Sequence, residues 1–392
     1  MSELRDVLTG IEDGLARGDR MALATIVSVR GSTYRREGAR LLVPERGKPV
    51  GNISGGCLEG DVRATAAEVM RDGTPRLVHF DLTADDEVVW GWGLGCNGVI
   101  DVFIEPAEGA AATAAVLRRA LDEGTALAVV TVVDVSGRDR ASAASGNGSA
   151  HPGPSVGIRL LVRPDGVAEG SLGSGDLDRA AVGEALSAMR DERSRTATLP
   201  GLRAFVEVLQ PPPRVLVCGA GHDAIPLVRF MSGLGWRVEV IDDRDAFLKA
   251  RRFPGAARLV KSEPIDAASS AGVDDRTYVV VMSHNFLRDK DYLRSFLGTP
   301  APYIGMLGPK ARLQRLLDAL RSEGFEPPPG SLEAVHGPAG LDLGGDGPDE
   351  VGWAIAGELL AVRNGRAGGF LRNGTSPIHA RDDRASAPSA SA

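Results

Sequence analysis

Cysteine is scarce in this chain: Cys57, Cys96 and Cys218 are the three in 392 residues. An odd number cannot pair completely, which excludes a disulfide scaffold and makes a reducing compartment, the cytoplasm, the simpler setting. Long apolar runs are missing too. The longest, ALAVVTVV at 126–133, falls far short of the roughly 20 residues that span a bilayer, so no membrane association is expected. The opening stretch MSELRDVLTGIEDG is acidic and lacks an apolar centre, so it does not read as a signal peptide. Basic residues are not in excess either. The net charge is −7, which counts against a nucleic-acid surface or a polybasic membrane patch as the main activity. What the chain has in abundance is glycine, 50 residues, nearly twice the usual share of about 7%. Glycine-rich loops mark places where backbone must turn sharply or approach another group closely.

The N-terminal part repeats itself. Displaced by 119 positions, GARLLVPERGKPVGNISGGCLEGDVRATAAEVMRD (38–72) lies over GIRLLVRPDGVAEGSLGSGDLDRAAVGEALSAMRD (157–191) without a gap, with 13 identities in 35 positions. The preceding apolar runs TIVSV (25–29) and TVVDV (131–135) match at a displacement of 106. The difference falls in a biased Ser/Ala/Gly stretch, 138–154, which reads as a flexible insertion. Each copy is expected to hold strands, a helix (58–72 in the first) and a further strand, 100–104 or 205–209. This gives an α+β domain over 1–209 built from two repeats, about 25–106 and 131–209.

The copies differ where chemistry would sit. The first has Ser54-Gly55-Gly56-Cys57-Leu58-Glu59, the second Gly173-Ser174-Gly175-Asp176-Leu177-Asp178, and the loop GWGLGCNG (91–98) belongs to the first copy alone. A free cysteine is most often a small buried hydrophobe. Here glycines flank both Cys57 and Cys96, which favours a site in one half and a packing role for the other.

Three consecutive prolines, 211–213, end this domain. Beyond them RVLVCGAGHDAIPLVRFMSGLGWRVEVIDDR (214–244) reads as strand, glycine turn, helix and strand. Later strand–helix alternation argues for a Rossmann-like parallel-sheet domain over 210–372, followed by a disordered tail at 373–392. Gly219 and Gly221 fit the turn that lets backbone N–H groups approach a pyrophosphate, and Asp242 sits where a carboxylate bonds ribose hydroxyls. That combination points to NAD or another adenine nucleotide. A carboxylate there repels a 2′-phosphate, so an NAD-type ribose is expected in preference to a 2′-phosphate, although Arg244 nearby blunts that preference. A scaffold without a nucleotide remains the alternative. His222, His284 and His336 follow strands or glycine turns, where a parallel sheet forms its ligand crevice. They lack zinc-ligand spacing, the sequence lacks the G-x-S-x-G of a hydrolase, and three scattered cysteines do not supply an iron–sulfur cluster.

Taken in order, ISGGCLEG (53–60), GWGLGCNG (91–98), VCGAGHDA (217–224), VIDDR (240–244), VMSHN (281–285), IGMLGPK (304–310), HGPAGLDLG (336–344) and AVRNGR (361–366) resemble the xanthine dehydrogenase accessory family of the XdhC/CoxI type. The resemblance covers nearly the whole chain. It implies a factor, rather than an enzyme, that binds molybdenum cofactor (molybdopterin) and helps its sulfurated form reach a molybdenum hydroxylase client. It also implies a cysteine desulfurase as partner. Carried over, the family's role falls first on Cys57, as the molybdenum or sulfur contact, and next on Cys96. With the positions read from the glycine turns and loops, the expected cofactor-binding residues are Gly55, Gly56, Cys57, Glu59, Cys96, Gly219, Gly221, His222, Asp242, His284 and His336. The chain departs from the family pattern at Ser283-His284-Asn285 and at Pro309-Lys310. The competing reading is an NAD-dependent oxidoreductase with a histidine as acid–base. Oligomeric state stays open, a homo-oligomer included.

Overall fold

The computed structural model describes residues 2–82, 97–135 and 154–374. Cys96, most of the 91–98 loop, the 138–153 stretch and the tail from 375 lie outside the described residues. The chain divides into two compact units, Met1–Pro211 and Pro212–Ala392.

The first unit is a mixed α and antiparallel-β structure in which one motif occurs twice. The first copy runs α1 (Ser2–Arg17), β1 (Met21–Ser32), β2 (Arg40–Pro44), β3 (Val50–Gly51), α2 (Glu59–Asp72), β4 (Arg76–Asp81) and β5 (Asn97–Pro106). The second runs α3 (Ala107–Glu123), β6 (Leu127–Val135), β7 (Arg159–Val162), β8 (Ala168–Gly170), α4 (Gly175–Arg190), β9 (Arg195–Leu199) and β10 (Leu202–Leu209). The sheet orders are β3-β2-β1-β5-β4 and β8-β7-β6-β10-β9, the same topology in both. Two strands, not one, follow each middle helix. β4 and β9 are edge strands with partly exposed, polar-rich sequences, which is why hydrophobic pattern does not reveal them.

The repetition reaches single residues. Gly51 and Gly170 both have positive φ, and a Cβ there would lie 2.3 and 2.7 Å from the carbonyl oxygens of Arg40 and Arg159. Only glycine fits so close a backbone crossing. Both central strands carry a bulge, where Val27 falls between paired Ile26 and Ser28, and Val133 between paired Val132 and Asp134. A bulge adds one unpaired residue and re-aims its side chain. Here the two valines are buried together with Phe103 and Phe205 in a small cluster drawn equally from both copies. α2 covers the other face of the first sheet, and α4 that of the second.

The second unit is a six-stranded, wholly parallel sheet of order β13-β12-β11-β14-β15-β16. Its elements are β11 (Arg214–Cys218), α5 (Ala224–Gly233), β12 (Arg237–Asp242), β13 (Arg258–Lys261), α6 (Ala267–Ala271), β14 (Thr277–Val281), α7 (Phe286–Phe296), β15 (Tyr303–Met306), α8 (Lys310–Ser322), β16 (Val335–His336) and α9 (Pro348–Arg363). The central strands read as unbroken apolar runs because both faces are covered. One core packs against α5 and α9, the other against α6, α7 and α8. This is the Rossmann strand order, with its switch point between β11 and β14. The glycine turn after β11 and the Ser283-His284-Asn285 turn after β14 therefore open side by side. Among the described residues no helix is long and apolar enough to cross a membrane.

Candidate functional site

In the first unit, Ser54 organises the turn ahead of α2. Its hydroxyl donates to Glu59 Oε2 at 2.5 Å and accepts from the backbone N–H groups of Gly56 and Leu58 at 3.1 and 3.2 Å. Glu59 is thus fastened to its own loop. Asp178, its counterpart in the second copy, does the same by accepting from Leu172 N at 2.6 Å. Glu59 is accordingly accounted for by the turn itself.

The turns diverge between those anchors. In the second copy Ser174 caps the helix by accepting from Leu177 N, and α4 is helical from Gly175 onward. In the first copy Gly56 has φ +115° and α2 starts at Glu59, so the residues matching that first helical turn form an open loop. Cys57 rides on this loop as a free, half-buried thiol at the margin of the Ile53, Leu58, Val62 and Ile100 cluster. Its counterpart Asp176 is exposed and paired with Arg179. Around Cys57 the chain leaves space: a Cβ on Gly55, Gly56 or Gly60 would meet nothing within 4 Å among the described residues. Gly56 is required by its backbone. Gly55 and Gly60 have no positive φ and no described neighbour that demands glycine. Thiolate sulfur is a soft donor, suited to soft metal centres.

In the second unit, Gly219 (φ +112°) crosses the end of β14 so closely that a Cβ would lie 2.7 Å from Ser283 Cα. That is the requirement for the first turn glycine. Asp242 at the end of β12 is 1% exposed. Its Oδ1 accepts from Arg244 N and Nε, each at 2.8 Å, and its Oδ2 from Ala220 N at 2.7 Å and Arg244 Nη2 at 2.8 Å. Burial works against the charge, but the bonds from Arg244 and Ala220 outweigh it and hold the carboxyl below its ordinary range. A carboxylate has about four acceptor positions, and here all are filled. The ribose role expected for Asp242 has no acceptor left to serve it; the residue fastens Arg244 to the glycine turn.

The three histidines are not brought together. His284 has φ 57°, an uncommon backbone for a side-chain-bearing residue. Its Nε2 lies 2.8 Å from Asp223 Oδ2, and its ring borders Gly221. His222 is exposed on the same turn. His336 sits on the edge strand β16, three strands from β11, with Nδ1 2.9 Å from Glu358 Oε1 and its ring tilted against that of Tyr303. Cys218 is fully buried, and burial first, then Asp289 and Asp242, push its thiol well up. It is a core residue. Sequence reasoning missed Arg252, which donates to the carbonyls of Ala220, Gly221 and Phe247. Nothing in its local sequence marks it. It also missed Asp223, whose place beside His222 in the turn was a usable signal. No group of three or more His, Cys, Asp or Glu among the described residues could hold a metal ion.

The comparisons with known proteins cover both units. The model of the XdhC Rossmann domain matches residues 215–359, and that of the XdhC and CoxI family matches 14–81 and 144–200. A probable xanthine dehydrogenase subunit from Bacillus subtilis is 28% identical over 346 residues, 88% of this chain and 94% of that protein. The molybdenum cofactor insertion chaperone PaoD of Escherichia coli is 30% identical over 115 residues, 29% of this chain and 35% of that protein. The crystal structure of a xanthine dehydrogenase from Bacillus halodurans superposes with a TM-score of 0.70 at 29% identity, covering 92% of this chain and 96% of that one. With both halves of the repeated unit and the Rossmann unit matched in order, the chain belongs to the XdhC and CoxI family.

Proposed function

We propose that this chain is a maturation factor that binds molybdenum cofactor as cargo, shields it during sulfuration and delivers it to a molybdenum hydroxylase of the xanthine dehydrogenase type. A cysteine desulfurase would supply the sulfur. The observation that carries this reading is the asymmetry between two turns at matching places in the repeat. One copy closes as a capped helix with a solvated aspartate, while the other opens around a thiol flanked by glycines that no described neighbour requires. The similarity to a molybdenum cofactor insertion chaperone supports it. Cys57 would contact molybdenum or carry sulfur, and the open surface at Gly55 and Gly60 would admit the pterin. The Rossmann unit would bind an adenine nucleotide at the Gly219–Gly221 turn. The alternative is an oxidoreductase with a histidine as acid–base, for which His284 beside Asp223 would be the candidate, but it leaves the open thiol turn of the first unit without a role.

The test is molybdenum and pterin per protomer after production with cofactor synthesis intact. Cys57→Ala should lose bound molybdenum while keeping its fold, whereas Cys218→Ala and Asp176→Ala should retain it. Unchanged molybdenum in Cys57→Ala would overturn the assignment. Equal loss in Asp176→Ala would show that both copies build one site.

A further inference from the structure

The adenosine end of the Rossmann crevice is built around arginine. Resting on the adenine-nucleotide reading above, we propose that this crevice selects nucleotides carrying a 2′-phosphate, read by Arg244 with Arg252 behind it, over those with a free ribose diol.

A free diol is normally recognised by an open carboxylate at the end of the second strand. Asp242 stands at that position, but it is buried and its acceptor positions are taken by Arg244 and Ala220. A diol entering the crevice would find no acceptor there. The same bonds do something else for Arg244. Nε and Nη2 are pinned to the carboxylate in a two-point contact, and the guanidinium lies over the Phe247 ring at 4.0 Å from its centroid. The plane is thus fixed on one edge and one face. Its Nη1 edge has no acceptor among the described residues. A planar guanidinium held in this way is pre-organised for a phosphate, and an arginine at this position is the group that accommodates a 2′-phosphate in such folds.

Charge balance agrees. Beside the crevice Asp242 is paired with Arg244, Asp243 with Arg288 and Asp289 with Arg312, while Asp223 meets the His284 ring. Arg252 also faces Phe247, at 5.2 Å, yet its hydrogen bonds go to main-chain carbonyls, and among the described residues it has no carboxylate partner. The aromatic ring therefore borders one guanidinium paired with a carboxylate and one that is not. The repulsion that Asp242 would exert on a phosphate is offset by Arg244, and Arg252 adds a second cation beside the same ring.

Calorimetry on the full chain with 2′,5′-ADP, 5′-AMP, NADP and NAD separates the contributions. The 2′-phosphorylated member of each pair should bind about tenfold tighter or more, the scale of a charge-assisted bidentate contact. Arg244→Ala should remove that preference and, by uncovering Asp242, raise affinity for NAD and 5′-AMP. A merely structural role for Arg244 would weaken all four ligands together. Equal or tighter binding of NAD and 5′-AMP by the unaltered protein would overturn the proposal while leaving the nucleotide reading standing. Absence of binding by all four at millimolar concentration would overturn both, and neither result would bear on molybdenum retention at Cys57.

Discussion

Gly60 sits in the first turn of α2, where glycine is a poorer choice than alanine by up to about 1 kcal/mol, and no described neighbour lies within 4 Å of the Cβ it lacks. Gly183 in α4 is equally open. Replacing either by alanine should raise stability by about 0.5 kcal/mol, readable as a higher urea midpoint. Only Gly60→Ala should at the same time lower molybdenum content, because it lies beside Cys57. If both variants keep full molybdenum content, the open glycines have no role toward the cargo. The abundance of glycine was legible in the sequence, but its division of labour was not. Gly51 and Gly170 answer to a neighbouring carbonyl, Gly219 to the end of β14, and Gly55 and Gly60 to no described neighbour. Asp242 teaches a similar lesson. Its spacing from Gly221 was readable, whereas the occupation of its oxygens depends on how Arg244 folds back, which spacing does not encode.

At the scale of elements, apolar runs such as those of β6, β11 and β14 were visible because both their faces are buried. The two-residue strand β16 is too short to carry a pattern, and in α7 the charged run Arg288-Asp289-Lys290-Asp291 interrupts the apolar residues. β16 nevertheless holds a polar knot that ties the sheet edge to α9. Glu358 accepts from Tyr303 Oη and Gly340 N at 2.6 Å each, with His336 Nδ1 at 2.9 Å. Burial works to raise the Glu358 carboxyl, but the bonds from His336, Tyr303 and Gly340 outweigh it and keep it below its ordinary 4.5. A carboxylate that binds its proton less readily when folded stabilises the fold fully above its unfolded value. That contribution is lost as pH falls through the folded value. Glu358→Gln should therefore lower stability at pH 7 and flatten its decline below about pH 4.5. Urea unfolding between pH 3 and 7 reads both effects. Parallel profiles for the two proteins would show that the knot contributes nothing through ionisation.

The whole first unit is held by an internal two-fold relationship that the sequence disclosed only in part. The 13 identities in 35 positions reveal the repeat and include Arg40 and Arg159, which align with each other. Their partners lie outside the aligned block, so the link between copies was not readable. Arg40 of the first copy pairs with Glu207 of the second at 2.5 Å, and Arg159 of the second pairs with Glu105 of the first at 2.5 Å through both carboxylate oxygens. Asp101 and Arg203, which hold matching positions on β5 and β10, pair with each other at 2.8 Å. The reciprocal pairs are largely buried, at 10% and 10% exposure for one and 15% and 5% for the other. Removing one member strands a buried charge and typically costs about 3–5 kcal/mol, whereas replacing both by apolar groups can be nearly neutral. Glu207→Leu alone should therefore destabilise strongly, and Arg40→Met with Glu207→Leu should recover much of the loss. The matching cycle at Arg159 and Glu105 should give a coupling energy of the same sign and similar size. Near-additive effects in either cycle would mean that the pairs are incidental, and that apolar packing, with the bulged valines and the two phenylalanines in it, joins the copies.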